Sequence, residues 1–190
     1  MIGMGGFARL LVMGFGTLQL TAECPAQQSP RELREKSVVL NWSEIRTVKA
    51  ISGQVSGREF TSRFDATFEL YVSALGRVFS TFKRVSGTHV FDDSNEISGT
   101  GKKPPLWRFQ GGALVADQAF VRGARRIAIS FGDQFNTCSV SVVYRKEGEA
   151  KPIIFAPSVP GDESQYEAID IKLLSTGCSM RQGNIFANPQ

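Results

Sequence analysis

Ala124-Arg-Arg-Ile-Ala-Ile-Ser-Phe-Gly-Asp-Gln-Phe-Asn-Thr-Cys-Ser-Val-Ser-Val-Val-Tyr-Arg145 holds two runs of alternating character on either side of Gly132-Asp133. Ile127, Ile129 and Phe131 alternate with Arg126, Ala128 and Ser130. Cys138, Val140, Val142 and Tyr144 alternate with Thr137, Ser139, Ser141 and Val143. Period two places every second side chain on one face of a strand, so each run reads as a half-buried strand. Gly-Asp between such runs is a hairpin cue, because glycine accepts positive φ without a Cβ clash. The loop length can be tested against the pattern. A two-residue loop sets Ile127 opposite Cys138 and Arg125 opposite Val140. A four-residue loop ending at Phe135 sets Ile129 opposite Cys138 and Ile127 opposite Val140. A three-residue loop would turn Cys138 to the other face, since a one-residue slip exchanges the two faces of a strand. An even loop is therefore expected, with Cys138 in the core.

The same alternation runs through the chain. Val38, Leu40 and Trp42 begin the sheet, and Arg46–Ile51 reads as the next strand. Ser52–Gly57 is a turn region. Phe64, Ala66, Phe68, Leu70, Val72 and Ala74 form the longest clean alternation, and Leu75-Gly76 turns it into Val78–Val85 as a second hairpin. Asp92–Pro105 is polar and ends in two prolines, a loop by composition. Gly111-Gly112 joins Leu106–Gln110 to Ala113–Phe120 as a third hairpin. Pro152–Phe155 is short, Pro157–Gln165 is a loop, and Ile169, Ile171 and Leu173 make a late strand leading to Cys178. Asn184–Phe186 is a candidate last strand. Ser29-Pro30-Arg31-Glu32 fits a capping box with proline in the first helical position, predicting a short helix over Pro30–Lys36. The expected architecture is all-β, a single-domain β-sandwich or partly open barrel of antiparallel hairpins, with that short N-terminal helix after a signal peptide.

The 190 residues suffice for one domain with a core. Arg9, the apolar run Leu10–Leu20 and Cys24-Pro25-Ala26 read as a secretory signal over 1–26, with Leu20-Thr21-Ala22 as an alternative cleavage site. The remaining 27–190 is read as one β-rich domain. Cleavage after Ala26 removes Cys24 and leaves Cys138 and Cys178, an even pair that an oxidising compartment would join. Closing a loop of roughly 40 residues would stabilise the fold by about 4 kcal/mol in the chain-entropy model. Buried free thiols are the competing reading. Two cysteines and one histidine do not make a metal cluster, and no cofactor motif is present.

The formal net charge is +4. Its cations fall in small groups: Arg31/Arg34/Lys36, Lys83/Arg84, Lys102/Lys103, Arg122/Arg125/Arg126 and Arg145/Lys146. Such scatter reads as a solvated surface that would attract an anionic cell-envelope component. No nucleic-acid module is present, and nucleic acid is not an expected partner. The apolar N-terminal run is too short and glycine-rich to span a bilayer, so the mature chain is expected to have no integral membrane span.

Several local motifs carry residues with catalytic precedent. Ser80-Thr-Phe-Lys83 matches the Ser-x-x-Lys motif of penicillin-binding proteins, but that chemistry needs a helix, and residues three apart on a strand face opposite sides. His89, the one histidine, would need Asp92 or Asp93 and a serine to form a triad. Gly53-Gln-Val-Ser-Gly57 has its serine one place late for a nucleophile elbow. Gly99-Thr-Gly-Lys-Lys103 lacks the first glycine and final hydroxyl of a phosphate loop. Trp42 and Trp107 sit in strand settings and are expected in the core. Asn41-Trp-Ser43 fits the glycosylation pattern.

Lys36-Ser-Val-Val-Leu-Asn-Trp-Ser-Glu44, Gly76-Arg-Val-Phe79, Gly123-Ala-Arg-Arg-Ile127, Phe135-Asn-Thr-Cys-Ser139 and Gly177-Cys-Ser179 together resemble a group of exported β-rich proteins of alphaproteobacteria. The resemblance implies a small exported domain and brings no assigned activity or site residues. The preferred expectation is a periplasmic or secreted, non-catalytic binding or envelope-associated module. A small secreted hydrolase using His89 or a carboxylate pair is the alternative. A small outer-membrane β-barrel, which shares the alternation, is the third.

Overall fold

The computed structural model describes residues 29–87, 89–92, 97–100, 105–148, 150–157 and 163–187. The expected signal over 1–26 and Cys24 lie outside them, as do Asp93 and Lys102/Lys103. The described chain is all-β and forms two antiparallel sheets. The strands are β1 (Lys36–Ala50), β2 (Glu59–Val72), β3 (Val78–Ser86), β4 (His89–Asp92), β5 (Arg108–Gln110), β6 (Ala113–Ala119), β7 (Ala124–Phe131), β8 (Cys138–Arg145), β9 (Ile154–Phe155) and β10 (Tyr166–Gln182). The first sheet has the order β4-β3-β2-β1-β10-β9, and the second β5-β6-β7-β8.

Alternation explains which faces meet. Val38, Leu40 and Trp42 of β1, Phe64 to Val72 at every second position of β2, Leu114 and Ala116 of β6, and Ile127 and Ile129 of β7 share one buried cluster. Aromatic rings fill its centre. Phe68 lies 4.4 Å from Phe82 and 5.3 Å edge-on from Trp107, with Trp42 stacked at 6.1 Å. Both tryptophans are in the core, as their strand settings implied. The other face of the β1–β2 pair is polar: Ser43 donates to Asp65, Arg63 pairs with Asp65 at 3.0 Å, and the Thr47 and Thr61 hydroxyls meet at 3.0 Å.

The β7–β8 register keeps the predicted parity but moves by one pair. Phe131 faces Cys138, Ile129 faces Val140, Ile127 faces Val142 and Arg125 faces Tyr144. The loop is even, as argued, but six residues long rather than two or four. Gly132 is extended, with φ of −77°, and does not form the turn. Gln134 and Phe135 take positive φ instead. Lys36 of the opposite sheet steadies the loop, its Nζ donating to the Phe135 carbonyl at 2.8 Å and the Asn136 side chain at 3.2 Å. Cys138 points inward and is bonded to Cys178 of β10, with Cα atoms 5.6 Å apart, so the disulfide joins the two sheets.

Other expectations change in detail. The separate early strands are one strand of 15 residues, β1. The helix over Pro30–Lys36 is absent: Arg31–Leu33 makes a single 3-10 turn with no side-chain cap. The Ser29 hydroxyl donates to the Gly76 carbonyl rather than to the turn, and the Glu35 N–H is drawn to the Val72 carbonyl at 2.6 Å, which starts the sheet before a helix can grow. Asn184–Phe186 is a turn rather than a strand. The Gly111-Gly112 hairpin is as read, with φ of 58° and 80° at its two glycines.

Candidate functional site

At the end of the sheets remote from the disulfide, strand parity carries charge inward. Glu44 and Arg46 continue the Leu40–Trp42 face of β1, Arg84 continues the Ser80–Phe82 face of β3, and Arg125 precedes Ile127 on β7. Tyr144 comes from β8 opposite Arg125. Four strands from two sheets thus deliver three guanidinium groups, a phenol and one carboxylate to a single region.

Glu44 is fully buried. Arg46 Nε donates to its Oε1 at 2.5 Å, and the Tyr144 hydroxyl is 2.7 and 2.9 Å from its two oxygens. That hydroxyl also accepts from Arg46 at 3.0 Å and from Arg125 at 3.2 Å. Burial pushes the Tyr144 phenol above its ordinary value, so it stays protonated and keeps its proton for Glu44. Arg125, 4% exposed, spends two further donors on the Gln118 side-chain carbonyl. Gln118 and Tyr144 are both neutral, so neither offsets the Arg125 charge. Arg84 has no ion pair among the described residues.

The three cations share one ring. The Arg46, Arg84 and Arg125 guanidinium carbons lie 3.9, 5.9 and 5.8 Å from the Phe64 ring centre. Phe155 flanks Arg46 at 4.7 Å, Phe91 flanks Arg84 at 5.0 Å and Trp42 flanks Arg125 at 4.7 Å. Aromatic faces attract such cations, but do not cancel their charge. Burial, then the guanidinium groups of Arg46 and Arg125, press the Arg84 pKa downward; burial does the same to Arg125. Arginine nonetheless keeps its proton in proteins, so the repulsion persists.

These groups line a cavity of about 590 Å³. Arg46, Arg84 and Arg125 face it, with Phe60, Phe120, Phe155 and Tyr166 as apolar walls. Its volume falls in the range of small-molecule sites, which are mostly apolar with a few placed polar groups. Arg84 also lines a neighbouring cavity of about 460 Å³ bounded by Phe82, Phe91 and Leu106. The β6–β7 turn meets β9 beside the first cavity, where Arg122 and Ile154 exchange backbone hydrogen bonds of 3.2 and 2.9 Å.

The residues singled out for catalysis do not converge here. Ser80 is buried against Ser98, their hydroxyls 2.7 Å apart, while Lys83 points outward to Asp92 at 3.2 Å. His89 pairs with Ser86 at the edge of the first sheet, and its side chain lies outside the described residues. Among the described residues no group of three or more His, Cys, Asp or Glu side chains is arranged to hold a metal ion. The expectation that the basic groups are all solvated surface is corrected at Lys36, Arg84 and Arg125: the strand period turns them inward, away from Lys83 and Arg126 beside them. The signal was in the sequence, since Arg125 has the parity of Ile127 and Ile129. Comparison with family models, with curated proteins and with solved structures returns no match.

Proposed function

We propose that this chain is a non-catalytic binding module exported from the cytosol, and that the arginine-lined cavity takes a small ligand bearing an anionic group. The observation that carries the reading is the charge balance: among the described residues, three inward guanidinium groups share one carboxylate. A buried charge without a partner is costly, and the rings around the cavity offer apolar contact for the rest of a ligand. The Cys138–Cys178 bond and the absence of a membrane-crossing helix among the described residues agree with export to an oxidising compartment. A β-sandwich is the architecture that best suits two antiparallel sheets with a common apolar interior. The hydrolase reading gains no support from the cavity, because Glu44, the one carboxylate beside it among the described residues, is engaged by Tyr144 and Arg46. An anionic envelope component remains the expected source of the ligand.

The test is titration with 1-anilinonaphthalene-8-sulfonate, an aromatic anion, followed by calorimetry. Saturable binding at one site is expected, weakened at least tenfold by Ser62→Trp, which fills the cavity from the inward face of β2 opposite Arg46, and less strongly by Arg84→Met. Circular dichroism would verify that both variants fold. Binding indifferent to both changes would overturn the proposal.

A further inference from the structure

The number of free positive charges narrows the ligand further, given that the cavity is the binding site proposed above. Glu44 is in contact with Arg46 and offsets that one charge. Arg125 is held by neutral Gln118 and Tyr144, and Arg84 by ring faces alone among the described residues. Glu44 also reaches Arg125, but its single charge offsets one of three, so among the described residues a net of two guanidinium charges surrounds the Phe64 ring. A singly charged ligand would leave one of them unpaired.

Donor capacity points the same way. A guanidinium offers five N–H donors in a planar fork. Arg125 uses three of its five on Gln118 and Tyr144. The donors left over belong to arginines on three strands, β1, β3 and β7, and so approach the cavity from different directions. A carboxylate presents two oxygens in a plane and suits one fork; a tetrahedral phosphate monoester, or two neighbouring carboxylates, presents oxygens to several forks at once. The cavity far exceeds the needs of a bare ion, and Phe60, Phe120, Phe155 and Tyr166 line the remainder.

We infer that the cavity selects a doubly charged anionic head carried on a flat or apolar organic body. The phosphate monoester and the vicinal dicarboxylate share this chemistry, and the test separates them.

At pH 8, binding of 1-naphthyl phosphate, naphthalene-2,3-dicarboxylate, 1-naphthalenesulfonate and inorganic phosphate is measured by calorimetry at one ionic strength. The doubly charged aryl ligands are expected to bind at least tenfold tighter than the sulfonate, which has the same ring system and one charge. Inorganic phosphate, lacking the body, is expected to bind more weakly than naphthyl phosphate. Arg84→Met should bring the phosphate and the sulfonate to within about threefold of each other while the sulfonate still binds. A phosphate preferred over the dicarboxylate assigns a tetrahedral head; equal binding, or the reverse order, assigns charge alone. If the sulfonate binds as tightly as both dianions, with binding still blocked by Ser62→Trp, the charge inference falls and the binding site stands. If none of the aryl anions binds, or Ser62→Trp changes nothing, the site itself falls.

Discussion

Glu44 is surrounded by donors rather than by water, and removing its charge would leave Arg46 and Arg125 facing each other across Tyr144. Breaking a buried ion pair on one side costs about 3 kcal/mol or more. Glu44→Gln should lower stability by that order, seen as a reduced urea midpoint with little change in slope. Phe68→Ala, which empties the centre of the aromatic cluster, should cost about 3–5 kcal/mol in the same measurement. At the surface, Asp117 responds to acid. The Arg126 hydrogen bond, and after it Arg108, hold its carboxyl well below the usual carboxylate range. A depressed carboxylate contributes stability that is present above its unfolded value near about 4 and is lost as pH falls toward its folded value. Acidification below about pH 4 should therefore destabilise the protein, and Asp117→Asn should flatten part of that dependence in pH-resolved urea titrations. Much of this was legible in single residues. Parity put Trp42 and Cys138 inward correctly, and the same rule carries Arg125 inward beside Ile127. The general preference of cations for water masks that consequence, because in a strand a residue's place in the period outweighs its chemistry.

Strands and loops were legible to different depths. The Gly111-Gly112 hairpin was readable because positive φ at two successive glycines meets the twist of a tight turn. The β7–β8 loop was not, because its length is set by distant partners. Lys36 binds its carbonyls from the other sheet, and no local pattern encodes that. The same limit applies to Ser29-Pro30-Arg31-Glu32, whose capping signal yields to the Gly76 and Val72 carbonyls, which accept from the Ser29 hydroxyl and the Glu35 N–H. On β10 the late alternation does not mark a buried face: Ile169 and Leu173 are 51% and 43% exposed. β8 and β10 pack beside each other and are also joined by the disulfide, whose partners are 40 residues apart in sequence. Replacing both Cys138 and Cys178 by serine should lower stability by about 4 kcal/mol in the chain-entropy picture. The difference between wild type and double variant in guanidinium titrations would measure it, and reductant should move the wild type toward the variant.

The two ends of the sheets are built differently. Cys138 and Cys178 lie near Leu40, with Lys36 closing the adjacent loop, whereas the cavity opens beyond Arg46. Electrostatic self-repulsion among the arginines is concentrated at the open end. A ligand that neutralises them should raise the melting temperature, increasingly with concentration above its Kd. Multivalent anions without an apolar body should do so weakly, and high salt should reduce the effect of charged ligands by screening the attraction. The covalent bond between β8 and β10 has a mechanical meaning here. It rivets the two sheets at one end, while the Arg122–Ile154 backbone hydrogen bonds and the Tyr144–Glu44 contact pin them at the other. With the far end still pinned, reduction should loosen the riveted end first, and amide exchange in β8 and β10 should quicken before exchange in β6 and β7 does.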